Sequence, residues 1–406
     1  MKNPSPMELR PSNEFVIATV SAVGTDQELF LSVLNDCLLQ YRYVSQLIKV
    51  SSVLTTLDLG VIDTSNEYAR IRTSMDVGNL VREKAGNGEV LALYAISKII
   101  YERSQKPEDR RCFIIHSLKN PDEIELLRRV YGLNVLVVGL YSAEFHRREY
   151  LRQKSMTKQQ TDELLQADQS EESDLGQQTR KTYQLADVFV DINKTRNQLF
   201  NDIERLLDLE FGHPYTTPSK DEYGMFMAFA ASLRSSDLSR QVGASIMKET
   251  GELVALGCND VPSPEGGLYW PGSLDKRDFK KECDSNHVRR DFIIDSIATK
   301  IREIATSVKD DAITQILRNS AIADITEYGR AVHAEMDAIL ACSRIGVAPV
   351  GTTLYTTTFP CHNCAKHIVA SGIKEVQYIE PYPKSLAKEL HGDSVVLADE
   401  DSNHEG

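Results

Sequence analysis

The sequence predicts an α/β protein of two domains, on the evidence of its length, an alternation of apolar and helical segments, and a break in that alternation. The chain has 406 residues, which at roughly 150 residues per domain favours two or three domains. Apolar strand-like runs alternate with helical segments from residue 14 onward, as in a parallel sheet covered by helices. A stretch punctuated by Gly and Pro at 211–220 interrupts the pattern. We therefore predict one domain over residues 1–212 and a second over 213–406.

The first domain is predicted to be a parallel sheet with covering helices. Strand-like runs are expected at 14–20, 111–118, 133–141 and 186–192, and helices after residue 26, over 120–132 and over 193–209. A polar stretch at 151–181 stands apart from this pattern. Its composition predicts an exposed loop or a helical lid without a core of its own.

The second domain is predicted to combine a hairpin with helices. A helix over 224–239 precedes strand-like runs at 241–247 and 252–259, whose KETG junction is typical of a hairpin. The elements expected after them are a Gly- and Pro-rich insert at 259–273, a charged helical stretch, a helix at 332–343, a strand at 352–358, a helix at 362–372, a strand at 374–380 and an acidic tail at 400–406.

Charge and hydropathy exclude several classes of function. Lys and Arg number 46 against 59 Asp and Glu, a net charge of −13, which is the wrong sign for broad binding of a nucleic acid polymer or an anionic membrane. No apolar run approaches the roughly 20 residues that span a bilayer, and the first 13 residues lack the apolar centre of a signal peptide. We therefore expect a cytoplasmic protein with reduced cysteines, in which a closely spaced pair is a metal site.

One histidine and two cysteines predict a zinc site. His333 and Glu335 (H-A-E), followed by Pro360, Cys361 and Cys364 (P-C-H-N-C), match the signature of the zinc nucleobase deaminases. His333, Cys361 and Cys364 would supply three ligands, and a catalytic zinc keeps its fourth tetrahedral position for water. Zinc lowers the pKa of such a water towards about 7. The alternative is a structural zinc knuckle or free thiols, against which Glu335 and Pro360 at these offsets argue.

Glu335 is predicted to be the general acid and base. It stands two residues after His333, so at a helix start its side chain reaches the water without ligating the metal. It would take the proton of the water, deliver it to the ring nitrogen and later help protonate the leaving ammonia. The predicted reaction is the hydrolysis of an exocyclic amine.

Longer runs resemble the deoxycytidylate deaminase family. HAEMDAI, PCHNCAKHIVASGIKEVQYIEPY, RSSDLSRQVGASIM and ALGCNDVPSPEGGLYW carry the resemblance, which spans most of 223–385. The GGLYW and EPYPKS runs resemble the antiphage dCMP/dCTP deaminases, in which a P-loop kinase-like domain precedes the deaminase. The resemblance implies a kinase-like parallel-sheet domain and then a cytidine-deaminase-like α/β/α domain. It also implies conversion of deoxycytidine nucleotides to deoxyuridine nucleotides, which depletes the pool a phage needs, and a homo-oligomer, often a hexamer.

The resemblance extends to substrate contacts. Asn259, in G-C-N, resembles an asparagine that hydrogen-bonds the deoxyribose, and Arg234, in R-S-S-D, resembles a basic residue near the nucleotide phosphate. The alternative assigns Asn259 to a turn and Arg234 to a solvated helix face. Trp270, the only tryptophan, either covers the base or anchors its loop. Asp337 departs from the asparagine often found after H-A-E-x in the family, which leaves the local substrate contacts open.

A second zinc site is an open alternative. Cys283 and His287 have C-x-x-x-H spacing, and Cys258 is a further candidate. The sequence offers no clear fourth ligand for such a site.

The turn after the first strand is predicted to be a degenerate phosphate-binding loop. Aligned with G-x-x-x-x-G-K-[ST], Thr19 stands at the first Gly, Gly24 at the second, Thr25 at the Lys and Asp26 at the Ser/Thr. The Lys is missing and Asp26 adds negative charge, so phosphoryl transfer from ATP is not expected. The first domain is then predicted to regulate or assemble the deaminase, and weak phosphate binding by backbone N–H groups is left open.

Three functions compete on the sequence. The first is deamination of free deoxycytidine nucleotides, either for antiphage defence or as a housekeeping supply for thymidylate synthesis. The second is polynucleotide editing of the tRNA adenosine deaminase type. The third is nucleotide sensing without catalysis. The acidic balance and the G-C-N and C-A-K runs favour the first over the second. Glu335 argues against the third, because a binding module needs no proton shuttle. The sequence leaves open dCMP against dCTP, allosteric nucleotides, the trigger, a regulatory partner and the oligomeric state.

Overall fold

The computed structural model describes residues 14–55, 59–105, 110–169, 176–304, 310–318, 320, 322, 325, 327–379 and 385–397. The first 13 residues, the EPYPKS run up to residue 384 and the predicted acidic tail lie outside the described residues. The described chain divides into two compact units, unit one up to Thr217 and unit two over 218–379 and 385–397. No helix in the part of the chain that the structure describes is long and apolar enough to cross a membrane.

Unit one is built on a five-stranded sheet of order β2-β3-β1-β4-β5 in which every neighbouring pair is parallel. Its strands are β1 (Glu14–Ser21), β2 (Val44–Lys49), β3 (Arg111–Leu118), β4 (Val135–Tyr141) and β5 (Val188–Asp191). Its helices are α1 (Glu28–Gln40), α2 (Glu67–Ala85), α3 (Val90–Gln105), α4 (Pro121–Tyr131), α5 (Glu144–Gln153), α6 (Lys158–Gln169), α7 (Thr179–Gln184) and α8 (Arg196–Glu210), with short 3₁₀ turns at Val50–Thr55 and Gly132–Asn134. The central strands β1 and β4 are buried almost throughout, as expected of a parallel sheet covered on both faces. The predicted parallel α/β sheet is confirmed.

Two features of unit one differ from the expectation. Strand β2 was not predicted, because it lies at the sheet edge and only Ile48 of its six residues is buried, so its sequence has no clear apolar face. The polar stretch at 151–181 is helical where it is described, as one alternative had it, but it is not exposed throughout. Leu164 and Leu165 are buried, and Leu164 packs with Leu151 and Met156. Residues 170–175 of this stretch lie outside the described residues.

Unit two has a four-stranded sheet of order β7-β6-β8-β9. Strand β6 runs antiparallel to both of its neighbours, whereas β8 and β9 are parallel. The elements are α9 (Lys220–Ser232), β6 (Gly243–Met247), β7 (Leu253–Cys258), α10 (Asp278–Lys281), α11 (Ser285–Ile304), α12 (Asp310–Arg318), α13 (Ala334–Ile345), β8 (Thr353–Thr356), α14 (His362–Ala370), β9 (Glu375–Tyr378) and α15 (Ala387–Leu390). The predicted hairpin and the helices and strands after the insert are present, with bounds shifted by a few residues.

The sheet of unit two separates two helical layers. Ala244 and Ile246 of β6 pack with residues of α13 and α14 on one face. Met247 packs with Ala228 of α9 and with Tyr355 on the other. This alternation along β6 gives the α/β/α layering that the sequence predicted.

Helix α13 packs closely against β7 at Gly257. A Cβ at Gly257 would lie 2.2 Å from the carbonyl oxygen of Ala334 and 2.4 Å from the backbone nitrogen of Ala338. Because both atoms belong to the helix backbone, they cannot move aside without moving α13. Gly257 therefore sets how closely the helix approaches the sheet.

We expect Gly257→Ala to lower the free energy of unfolding by about 1–3 kcal/mol, since overpacking of this size strains the backbone. Thermal and urea unfolding of the zinc-loaded protein would measure it. Gly78→Ala is the control, because a Cβ there meets only ordinary contacts at 3.7 and 3.9 Å in the interior of α2. Equal stability of Gly257→Ala and the wild type would contradict the close approach.

Candidate metal centre and active site

Two helix N-termini meet at the candidate site. His333 is the extended residue that precedes α13, and Cys361 is the extended residue that precedes α14. Cys364 lies in the first turn of α14. Because the N-terminal end of a helix carries a partial positive charge, this placement favours thiolates at both cysteines.

The three predicted ligands lie within coordinating reach of one another. The Sγ atoms of Cys361 and Cys364 are each 3.3 Å from Nδ1 of His333, and the ligand atoms of the group all lie within 4.8 Å of one another. In the described part of the chain, no other group of three or more His, Cys, Asp or Glu side chains approaches this closely. The residues of the alternative second zinc site, Cys258, Cys283 and His287, do not form such a group.

The donor set fits a divalent cation. Hydrogen bonds from Cys364 and His333 lower the pKa of Cys361 to about 3, whereas the neighbouring Cys361 and burial raise the pKa of Cys364. The pKa of His333 is raised, chiefly by its hydrogen bond with Cys361. The site therefore favours a thiolate at Cys361, and a bound cation would favour one at Cys364 as well. One imidazole and two thiolates form a set that Zn²⁺ prefers.

Glu335 lies beside this group without belonging to it. It is buried, and its Oε2 accepts a hydrogen bond from Sγ of Cys364 at 3.3 Å. Burial raises the pKa of the Glu335 carboxyl, because the charged form loses its hydration. A carboxyl with a raised pKa next to a cation site is suited to accept and return a proton.

The segment 234–237 and the residues after β7 form one hydrogen-bonded unit near the site. Oδ1 of Asn259 accepts from the backbone N–H of Val242 at 2.6 Å and from Oγ of Ser235 at 2.9 Å, while Nδ2 donates to the carbonyl of Arg240 at 2.7 Å. These contacts are those of a residue that shapes a turn. They do not test the predicted hydrogen bond between Asn259 and a deoxyribose, which stays a prediction.

Arg234 and Trp270 lie together. The Arg234 guanidinium stacks on the Trp270 ring, 3.8 Å from the ring centroid, and Nη2 donates to the carbonyls of Leu268 and Tyr269 at 3.1 and 3.4 Å. Trp270 remains 66% exposed, so its other face is open to solvent. Arg234 thus fixes the position of the insert, and its predicted role near a phosphate is untested by these contacts.

Asp337, the residue that departs from the family pattern, is buried at the interface between α13 and β7. Its Oδ2 accepts from the backbone N–H of Cys258 at 3.3 Å, and its Oδ1 lies 3.2 Å from Nη2 of Arg344. The carboxylate therefore ties the end of β7, just before Asn259, to the helix that carries Glu335.

Sequence reasoning missed a buried ion pair at this place. Asp260 accepts from the N–H and Oγ of Ser236 at 3.1 and 3.0 Å, and lies 3.5 Å from Arg277. Its carbonyl accepts from the N–H of Val332, the residue before His333, at 2.9 Å. Asp260 and Arg277 stand 17 positions apart in the sequence, and no local pattern links them. The only available signal was an acid near the start of the Gly- and Pro-rich insert, Asp260, and a base shortly after its end, Arg277.

The residues predicted to form a degenerate phosphate loop lie directly after β1. Gly24 has a left-handed φ of +83°, which a glycine adopts without strain. The Oγ1 of Thr25 is buried without a hydrogen-bond partner, and Oδ1 of Asp26 accepts from the N–H of Glu28 at 3.0 Å. Asp26 thus occupies one of the N–H groups at the start of α1.

The fold and the three-ligand site define unit two as a metal-binding α/β/α domain. Residues 218–380 match the family model of the cytidine and deoxycytidylate deaminase zinc-binding region. Deoxycytidylate deaminase of Enterobacteria phage T2 is 28% identical over 165 residues, which are 39% of this chain and 79% of the phage protein. Over these residues unit two is therefore similar to the zinc-binding region of cytidine and deoxycytidylate deaminases.

Two other similarities are partial. ComE operon protein 2 of Bacillus subtilis is 51% identical over 53 residues, which are 13% of this chain and only 28% of that protein. A shikimate kinase of Acinetobacter baumannii in complex with shikimate has a TM-score of 0.30 at 10% identity, covering 50% of this chain and 95% of the kinase.

Proposed function

We propose that this protein deaminates deoxycytidine nucleotides, converting dCMP, dCTP or both to the deoxyuridine nucleotide and ammonia. The observation that carries the proposal is the buried carboxyl of Glu335 beside the His333, Cys361 and Cys364 group. The relative from phage T2 supports the substrate class, because it is named a deoxycytidylate deaminase.

In this proposal His333, Cys361 and Cys364 hold Zn²⁺, which as a Lewis acid makes the attacking water more acidic. Glu335 accepts the proton that the water loses as its oxygen bonds to C4 of the cytosine ring. The carboxyl then passes this proton to N3. The resulting carboxylate takes the second proton from the hydroxyl on C4 as the C4=O bond forms, and delivers it to the amino nitrogen as the bond from C4 to that nitrogen breaks and ammonia leaves. The burial of Glu335 suits both steps, since it raises the pKa of the carboxyl and so makes the protonated form easier to reach.

For substrate recognition we propose Arg234, Asn259 and Trp270. Trp270 offers an open ring face for stacking, and Arg234 supplies a positive charge beside it. Asn259 and Asp260 follow β7 directly, so a sugar held there would lie close to α13. A phosphate would have to share the Arg234 guanidinium with the carbonyls of Leu268 and Tyr269.

We expect Arg234→Ala to raise KM for dCMP about tenfold or more, since a hydrogen bond to a charged group contributes roughly 1.5–3 kcal/mol. Uncharged deoxycytidine should be affected far less. Steady-state kinetics with both substrates would measure the difference. Lys248→Ala, which removes an exposed charge from the β6–β7 hairpin, is the control, and equal losses for nucleoside and nucleotide would assign Arg234 to structure alone.

The proposal is tested by a panel of substrates. Purified protein is incubated with dCMP, dCTP, CTP, cytidine, single-stranded DNA and tRNA, and the products are separated by chromatography. Turnover of a free deoxycytidine nucleotide supports the proposal. Turnover of a polynucleotide alone would replace it with an editing activity.

We further propose that this deamination takes place in the cytoplasm and depletes the pool of deoxycytidine nucleotides during phage infection. The active form is proposed to be a homo-oligomer. Unit one is proposed to control the activity of the deaminase and to have no kinase activity of its own. The seven free cysteines agree with a reducing compartment. The outer side of α9 exposes Tyr223, Phe226 and Phe229, which offers apolar area for a second copy. Phage plating on cells that express the wild type or Glu335→Gln, together with the sedimentation mass of the protein, would test these points.

A further inference from the structure

The sheet of unit one predicts where a ligand of that unit would bind. The chain leaves β1 for β2 and β3 on one side of the sheet and then crosses to β4 and β5 on the other. In open parallel sheets ligands bind beyond the carboxyl ends of the strands at such a reversal. Here that place is the loop of residues 22–27, between β1 and α1, which we call the β1 loop.

A carboxylate of the protein already lies at the β1 loop. Oδ2 of Asp168 accepts the backbone N–H of Val23 at 2.8 Å. Its Oδ1 accepts from Nζ of Lys119 at 3.0 Å and from Oγ1 of Thr179 at 2.9 Å, and also from Nε2 of Gln177. The Asp168 side chain is completely buried. These four donors come from three separate segments of unit one and converge on one side chain.

The charges around Asp168 are those of an anion site. Lys119 follows β3 and also donates to the carbonyl of Ser21 at 2.7 Å. Arg147, which is fully buried, donates from Nη1 to the carbonyl of Val23 at 3.4 Å. A loop N–H, a lysine, a hydroxyl and an amide are the donors that proteins offer to phosphate oxygens. A buried carboxylate without such donors would cost several kcal/mol.

We propose that the β1 loop is a binding site for a phosphate group, occupied by the Asp168 carboxylate of the chain itself. Asp168 lies at the end of α6, so a phosphate at this site and α6 in its present position exclude each other. A phosphate-bearing ligand therefore binds unit one only where Asp168 is removed or displaced. The site differs from the deaminase site, because its residues all belong to unit one.

The test replaces Asp168 by Ser or Gly in the full-length, zinc-loaded chain. We expect about 50 mM inorganic phosphate to raise the Tm of these variants by about 2–4 °C or more over chloride of equal ionic strength. The wild type and Asp162→Ser, which changes an exposed acid on the same helix, should show no such gain. Adding Lys119→Met to Asp168→Ser should abolish it. Repeating the measurement with ATP shows whether the site accepts a nucleotide or only the free phosphate ion. A gain in Tm with ATP or with phosphate supports the proposal.

Three results would overturn the proposal. The first is a Tm of Asp168→Ser that neither phosphate nor ATP changes, and the second is an equal gain in the wild type. If both Asp168 variants fail to fold in chloride, their refolding yield in phosphate is compared with that in chloride. Recovery in phosphate supports the proposal, and equal failure in both salts is the third contradictory result.

Discussion

Glu335→Gln is expected to lower kcat for deamination by about 10²–10⁴-fold, the usual contribution of a general acid–base group. Glutamine keeps the size of the side chain, and its amide can donate a hydrogen bond to the Cys364 thiolate of the zinc-loaded protein, but it cannot carry a proton. Burial raises the pKa of Glu335 and so disfavours its charged form, and a neutral amide removes that cost. Zinc content and Tm should therefore stay at or above the wild-type values.

The matched control is Glu249→Gln, because the Glu249 side chain is 82% exposed in the β6–β7 hairpin. Single-turnover rates and metal analysis are taken on the same preparations. A Glu335→Gln protein with a near wild-type rate would refute the proposed proton transfer. A variant that has lost its zinc would instead show that Glu335 supports the metal group.

Cys361→Ser and Cys361→Ala are expected to lose zinc and activity together. Three protein ligands become two, and the remaining two carry less negative charge to offset that of Zn²⁺. Cys361 is the cysteine whose pKa the site lowers, to about 3, so its removal takes away the preformed thiolate. We expect near-zero zinc per chain at stoichiometric metal and a loss of activity of at least about 10³-fold.

Cys283→Ala is the control for that experiment. Cys283 is exposed and stands outside the metal group, so its variant should keep one zinc and full activity. Full zinc occupancy in Cys361→Ala would contradict the ligand set. A loss of zinc in Cys283→Ala would revive the second site that the C-x-x-x-H spacing suggested.

The sequence predicted the elements that have a strong pattern. Strand β1, with five apolar residues among its eight, and the short-range spacing of Cys361 and Cys364 both carry local signals. The α/β fold class and the zinc cofactor were predicted from such signals. The edge strand β2 has a mixed pattern and was missed. Bounds shifted by a few residues because caps and first turns depend on tertiary contacts.

What the sequence could not predict depends on residues far apart in the chain. The hydrogen bond between Val23 and Asp168 joins positions 145 residues apart, and the polar composition around Asp168 had indicated an exposed loop or a helical lid. The Asp260 and Arg277 pair likewise joins residues 17 positions apart, one in the insert and one beyond it. Long-range pairing of charges leaves no periodicity, so these contacts become visible only in the folded chain. The roles of Arg234, Asn259 and Trp270 in substrate binding stay predictions.

Unit two is proposed to deaminate deoxycytidine nucleotides with the help of zinc. The most direct measurement is the rate at which dCMP is converted to dUMP and ammonia, and dCTP to dUTP and ammonia. It is made on one preparation in three forms: zinc-loaded, metal-depleted and zinc-restored. We predict turnover of at least one of the two nucleotides with equal yields of the two products, loss of turnover on depletion, and recovery on restoring zinc. No turnover of either nucleotide by the zinc-loaded protein, or an unchanged rate after depletion, would contradict the account.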